Sequence, residues 1–242
     1  MTRTKVLLSA CAATALMAGS ASALTYKYDV TLESLNDSGV TGSGRITYDE
    51  STMMLNVMMD VMGLTPNQMH MAHIHGTPGQ DSVLPTMEDD ADGDGYIEVL
   101  EAVGKYGDIM LNLKDPATGQ FAAAPGLGQT LSIDYTYDLT GDTDSDESND
   151  LLGGLLQESY SLAEFGPTML QNREVVFHGA RVPGNVGAGT PGEVDGTAGY
   201  KGLLPVAAGE ITLSSVPLPA TLPLAGFAAA ALGLFGARRK RS

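Results

Sequence analysis

Cysteine is almost absent from this sequence, and tryptophan is missing altogether. The 242 residues include one cysteine, Cys11, and no tryptophan. A single cysteine forms no internal disulfide, even in a compartment that allows one. The stability of the fold must therefore come from its core or from bound metal.

Basic residues are also scarce. The chain has 13 Lys and Arg against 29 Asp and Glu, for a net charge of −16. Six of the 13 lie at the two ends, at Arg3, Lys5 and 238–241, and without them the net charge becomes −22. Such a surface repels nucleic acid and anionic membranes and attracts cations. The charge excludes a nucleic-acid partner.

The common catalytic motifs are lacking too. There is no Gly-x-Ser-x-Gly elbow, no phosphate-binding loop and no His-Glu-x-x-His sequence. These absences exclude the enzyme classes that the motifs mark. They favour a binding or structural role over catalysis.

The first 23 residues have the pattern of a secretory signal peptide. Arg3 and Lys5 precede an apolar run that ends in Ala21-Ser22-Ala23, the small-residue pattern after which signal peptidases cut. A competing interpretation takes Leu8 to Cys11 as a lipoprotein cleavage box. Cleavage after Ala23 predicts export and a mature chain that contains no cysteine.

The segment 214–242 has a motif, an apolar stretch and a basic tail in that order. It reads "VPLPATLPLAGFAAAALGLFGARRKRS" from Val216, with an apolar part about long enough to span a membrane. It could be a permanent anchor, but the arrangement resembles the VPLPA form of the PEP-CTERM sorting signal. The resemblance implies export across the inner membrane of a Gram-negative bacterium, transient anchoring and removal of the tail by an exosortase-type enzyme. The protein would then lie at the cell surface or outside, in the setting of exopolysaccharide and biofilm.

Residues 24–213 have the alternating apolar and polar pattern of short strands separated by turn residues. This pattern predicts a single all-β domain, an antiparallel sandwich with one inserted loop and a short helix. Helical patterns occur only at 96–106 and 149–165. The predicted strands are "TYKYDVTLES", "GSGRITYDE", "MLNVMMDVMG", "HMAHIHG", "GDIMLNLKD", "QTLSIDYTYDL", "EVVFHGARV" and "AAGEITLSS".

The inserted loop "DADGDGYIEVLE", residues 90–101, matches the twelve-residue EF-hand calcium loop. Gly95 stands at the position of the sharp turn and Ile97 at that of the apolar anchor. Hard oxygen ligands at this spacing suit Ca²⁺. The predicted ligands are Asp90, Asp92, Asp94, the backbone carbonyl of Tyr96, Glu98 and Glu101.

Three of the four histidines lie within "QMHMAHIHG". In an extended strand His73 and His75 point to the same face, as a pair usable for copper or zinc. Two ligands make a weak site, and His178 is the remaining candidate for a third. Methionine thioethers also suit copper(I), which leaves open a role for Met54, Met58 and Met62 in a copper carrier.

The stretch "AHIHGTPG" resembles the CHRD domain, a chordin-type module of exported bacterial proteins, and the likeness covers most of Leu24 to Leu213. A more distant similarity links the order of His-x-His, "VVFHGARVPG" and "TAGYKGLLPVAAGEI" to Cu/Zn superoxide dismutase. This second similarity implies an Ig-like sandwich, with His73, His75 and His178 at copper-ligand positions. It also puts Lys201 at the position of the cation that guides the anion.

The sequence departs from the dismutase pattern because it has no histidine for the bridging position or for the further zinc ligands. We therefore expect an exported, calcium-binding CHRD-type surface or matrix protein that acts as a structural or binding module. Its partners would be extracellular polysaccharide or envelope proteins. Two alternatives remain, a dismutase-like copper enzyme and a periplasmic copper or zinc carrier.

Overall fold

The computed structural model describes residues 24–139 and 168–215, all within one compact unit, Ala23–Pro217. The predicted signal peptide, the sorting segment from Val216 and the helical pattern at 149–165 lie outside the described residues. In the described part of the chain, no helix is both long and apolar enough to cross a membrane.

The described residues form an antiparallel β-structure with one short α-helix, which confirms the predicted all-β class. Two 3₁₀ turns, Met87–Asp89 and Leu170–Asn172, accompany it. The elements are β1 Thr25–Ser34, β2 Thr41–Asp49, β3 Met54–Met62, β4 Ala72–Gly76, α1 Val99–Tyr106, β5 Asp108–Asn112, β6 Leu131–Asp138, β7 Glu174–Val182 and β8 Gly199–Ser215.

The strands follow one another in the sheet in the order β5-β4-β7-β8-β1-β2-β3-β6. Every neighbouring pair is antiparallel. Ile74 on β4 and Phe177 on β7 share one buried core with Val57 on β3 and Ile133 on β6. Because strands from both halves of the order meet in that core, the sheet curls over it.

Strand β3 shows how the sequence pattern sets the faces. Leu55, Val57, Met59 and Val61 are buried and the residues between them are not, as alternation predicts. Met58 and Met62 are about half exposed on the other face. Residues four apart in a strand lie about 13 Å apart, so these two thioethers cannot ligate one ion together.

Strand β8 begins at Gly199, eight residues before the predicted start. Its extra length pairs with the second half of β7, where the register shifts on both sides of His178 and Pro205 stands opposite it. Bulges and a proline at such a position break the simple alternation. For that reason the sequence pattern gave no sign of the first half of the strand.

A second, smaller core lies on the opposite face of β7 and β8. Val176 and Ala208 point away from the main core there and pack against α1 and the segment before it. Ile97, Ala102 and Tyr106 are the apolar side chains that cover them. This packing places α1 over the face of the sheet that carries the histidines.

Candidate metal centres

Three histidines from two neighbouring strands meet on the face under α1. His73 and His75 lie on β4 and His178 on β7. Each offers one ring nitrogen, and the three nitrogens lie within 4.8 Å of one another. The structure therefore brings together all three of the histidines that the sequence suggested as transition-metal ligands.

One nitrogen of each ring is buried and has no hydrogen-bond partner among the described residues. These atoms are Nδ1 of His73, Nε2 of His75 and Nε2 of His178. Each orphaned buried polar group costs about 1–3 kcal/mol. Each of the three clustered rings therefore has one nitrogen that could ligate a metal ion.

The other nitrogens of two rings contact backbone carbonyls. Nδ1 of His75 donates to the Gly107 oxygen at 3.0 Å, and Nδ1 of His178 to the Leu203 oxygen at 2.5 Å. A proton held at Nδ1 leaves Nε2 as the lone-pair nitrogen in a neutral ring. Both rings are therefore fixed in the tautomer that can bind metal.

Burial also keeps the three imidazoles neutral. It lowers the pKa of His75 to about 3 and that of His178 to about 4, and for His75 the neighbouring His178 adds to the effect. For His73 burial comes first and then the charges of His178, His75 and Lys114, and together they lower its pKa well below the usual range. Protons do not compete with metal here at neutral pH.

A cavity of about 340 Å³ opens over the histidines. Its walls are mostly apolar, with Val99, Val103 and Leu203 among them, and it also contains Tyr106. The Tyr106 hydroxyl is buried without a partner among the described residues, and its ring centroid lies 4.4 Å from that of His75. The cavity leaves room for a further, non-protein ligand beside the three rings.

The fourth histidine and the predicted anion guide have other roles. His70 lies outside the cluster, with its ring nitrogens 2.8 Å from the His178 carbonyl oxygen and 2.9 Å from that of Thr65. Lys201 donates to Asp195 at 2.6 Å and does not line the cavity. Neither residue completes a dismutase-type centre.

The acidic loop 90–101 brings its first three aspartates together. One oxygen from each of Asp90, Asp92 and Asp94 lies within 4.8 Å of the other two. Asp90 accepts the backbone N–H groups of Gly93 and Gly95, both at 2.9 Å. One carboxylate oxygen each of Asp92 and Asp94 is buried without a partner in the described part of the chain. These two oxygens are ready to accept a cation.

The two glutamates of the loop are placed differently from each other. Glu101 reaches back and accepts the N–H of Ala91 at 2.7 Å, so it closes the loop. Glu98 is buried and turns away to accept the N–H of Val194 at 2.5 Å. Burial raises the pKa of Glu98 to about 6. Tyr96, the other predicted ligand, donates its N–H to Asp94 at 2.8 Å.

Two features of this region escaped the sequence analysis. The segment 192–194 contacts the loop, since Glu193 accepts the N–H of Val99 at 3.2 Å. Tyr106 enters the histidine cavity at the end of α1. The helical pattern of 96–106 was the only feature of the sequence that pointed to Tyr106. It predicted a helix starting in the loop, with this aromatic residue on its buried face.

No protein-family model matches this chain, and no curated protein matches its sequence.

Proposed function

We propose that this protein is an exported β-sandwich module that binds copper or zinc at His73, His75 and His178. The observation that carries the proposal is the convergence of three buried, unpartnered ring nitrogens. Imidazole is the ligand that zinc and copper share, and it does not select calcium or magnesium.

The number of ligands favours a site that keeps one position open. Closed structural zinc sites have four protein ligands, whereas sites with three protein ligands hold water or another small molecule at the fourth position. Here the cavity beside the rings provides that space. The ion would supply Lewis acidity, and the chain would supply neutral ligands, fixed tautomers and an apolar surrounding.

The experiment is metal analysis of the purified protein, made without a histidine tag and exposed to copper and zinc before desalting. We expect about one equivalent of metal in the wild type and its loss in His73→Gln. The matched control is His70→Gln, which also alters a buried histidine but leaves the cluster intact. Full metal content in His73→Gln, equal to that of the wild type, would overturn the proposal.

The same copper-loaded protein tests the dismutase alternative. The open cavity favours it, whereas the missing bridging histidine and a mature charge of −22 oppose it. We expect binding without superoxide turnover. A superoxide assay with free copper as the reference measures this, and rapid turnover lost in His178→Gln would establish the enzyme instead.

Calcium in the loop 90–101 is the second proposed ligand. Its support is the pair of unpartnered oxygens on Asp92 and Asp94 beside Asp90. The Asp-x-Asp-x-Asp-Gly spacing matches the EF-hand. Sites in extracellular modules bind with dissociation constants of roughly 10⁻⁴ to 10⁻³ M, so exported protein would carry the ion at millimolar calcium.

The location of the module is proposed from the sequence resemblances to the CHRD domain and to the PEP-CTERM signal. We propose that the CHRD-like domain is displayed at the cell surface or in the matrix after exosortase-type removal of the tail. Polysaccharide or envelope proteins would be its partners there. Mass spectrometry of the exported protein tests this, because a C-terminus that still contains the basic tail would contradict it.

A further inference from the structure

A second cavity, lined mainly by polar residues, lies where β7 and β8 pair, and its residue Glu174 stands opposite His75 in the pairing of β4 with β7. Its volume is about 450 Å³. One wall is the loop that holds Ser82, another is the 3₁₀ turn Leu170–Asn172, and the floor is the sheet itself. The polar residues that line it are Asp81, Ser82, Gln171, Asn172, Glu174, Glu210 and Thr212.

Glu174 is a buried acidic residue in this cavity whose hydrogen-bonding capacity the described residues do not satisfy. It is only 1% exposed, and both of its carboxylate oxygens lack a hydrogen-bond partner among the described residues. Its cross-strand neighbour on β8 is another carboxylate, Glu210. An ionised carboxylate in such a place is costly unless it is paired or coordinates a metal.

Ser82 provides a second, independent observation. It is 3% exposed, and its hydroxyl oxygen also has no partner in the described part of the chain. Its backbone N–H donates to the Asn172 oxygen at 3.2 Å, which fixes this loop against the cavity. Two buried oxygen-bearing groups therefore line one cavity without hydrogen-bonding to each other.

Three carboxylates act on Glu174. Burial raises the pKa of Glu174 to about 8, and the carboxylates of Glu210, Asp81 and Glu33 add to the rise. The guanidinium of the preceding residue, Arg173, donates to the Thr77 and Gln80 carbonyls, both at 3.0 Å. The cavity holds negative groups that would be stabilised by a cation.

We propose that this cavity is a second hard-cation site, which takes Ca²⁺ through the Glu174 carboxylate and the Ser82 hydroxyl, with Asp81 and Glu210 at its rim. All the donors are oxygen, which selects calcium or magnesium over copper and zinc. Calcium fits better because the donors come from several separate segments, and magnesium requires a strict octahedron at short distances.

The test measures, by equilibrium dialysis, how much calcium the full chain and four variants bind. We expect Glu174→Gln and Glu101→Gln each to bind one equivalent of calcium less than the wild type. The double variant should lose both equivalents. Glu50→Gln is the matched control, because it makes the same side-chain change in an exposed turn and should bind as the wild type does. The experiment therefore tests calcium binding at the loop 90–101 and at the Glu174 cavity independently.

A second readout guards against a variant that does not fold. Ser82→Ala removes one hydroxyl and leaves every charge in place. If the cavity binds calcium, its affinity for calcium should fall in this variant. The thermal midpoint of each variant with and without calcium shows whether the same ion stabilises the fold. If Glu174→Gln and Ser82→Ala both keep the full calcium content, the cavity holds only water and the proposal is wrong.

Discussion

At the scale of single residues, the partners of the ring nitrogens separate the histidines into two roles. His70 and His178 are almost equally buried, at 1% and 3% exposure. Both nitrogens of His70 contact backbone carbonyls, whereas Nε2 of His178 has no partner among the described residues. Burial alone therefore does not separate the two roles, and the nitrogen without a partner among the described residues distinguishes the proposed ligand His178 from His70.

The neutral state of the cluster predicts how the metal-free protein responds to acid. In the unfolded chain the histidines have a pKa near 6.5, but in the folded state the pKa values of His75 and His178 are about 3 and 4. As the pH falls below 6.5, the unfolded state takes up protons and the folded state does not. Stability is present above pH 6.5 and is lost below it, by up to about 4 kcal/mol per pH unit for three histidines.

Urea unfolding between pH 7 and pH 5 measures this loss. Glu98, whose pKa burial raises to about 6, takes up a proton in the folded state within this window and offsets part of the loss, so the test compares the slopes of the wild type and the variants. Replacing all three cluster histidines by glutamine should flatten the slope, and His70→Gln serves as the control. A slope unchanged in the triple variant would contradict the assignment of neutral, buried rings.

At the scale of elements, α1 connects the two proposed metal sites. It begins at Val99, inside the acidic loop 90–101, and Val99, Val103 and Tyr106 line the histidine cavity. Gly107, which caps its C-terminus, holds Nδ1 of His75 through its carbonyl oxygen. The position of this one short helix therefore sets both the wall of the cavity and the tautomer of a ligand.

Two glycines of this helix region make a matched pair of substitutions. Gly107 has a φ of +81°, and an added Cβ would lie 2.2 Å from the Gly76 backbone. Gly104 lies inside α1, and an added Cβ would meet nothing within 4 Å. We expect Gly107→Ala to lose more than about 1 kcal/mol of stability and to bind copper or zinc more weakly.

Gly104→Ala should instead gain about 0.5–1 kcal/mol, because alanine is the better helix former, and metal affinity should be unchanged. Denaturant unfolding and metal titration of both variants measure the two effects. Equal metal affinity in Gly107→Ala and the wild type would show that the Gly107 carbonyl does not position His75.

At the scale of the whole molecule, negative charge is the dominant feature. The chain has a net charge of −16, and charge of one sign in excess repels itself in the folded state. The acidic loop concentrates part of that charge, and the neighbouring carboxylates Asp90, Asp92 and Glu101 help to raise the pKa of Asp94, after burial as the first cause. Bound calcium would relieve both the local and the overall repulsion.

Removing calcium should therefore lower the thermal midpoint of unfolding. The expected change at saturating calcium is about 3 kcal/mol for each site filled at 100 times its dissociation constant. Calorimetry with and without a calcium chelator measures the shift, and sodium chloride at equal ionic strength controls for general screening. A midpoint restored fully by sodium chloride would argue against specific sites.

The sequence by itself determined the strand faces and the ligand types. Alternation put Val57 and Val61 inside, and the spacing of Asp90 to Glu101 predicted a loop whose first three aspartates do converge. These are local properties, because a strand repeats every two residues and a calcium loop is continuous in sequence.

Only the tertiary structure decided which distant residues meet. His178 lies about a hundred residues from His75, and the pairing of β4 with β7 places the two beside each other. The same pairing buries Glu174, which the sequence presents as an ordinary polar residue at the start of a strand. Register between strands is a long-range property, so no local pattern shows which polar side chains it will bury together.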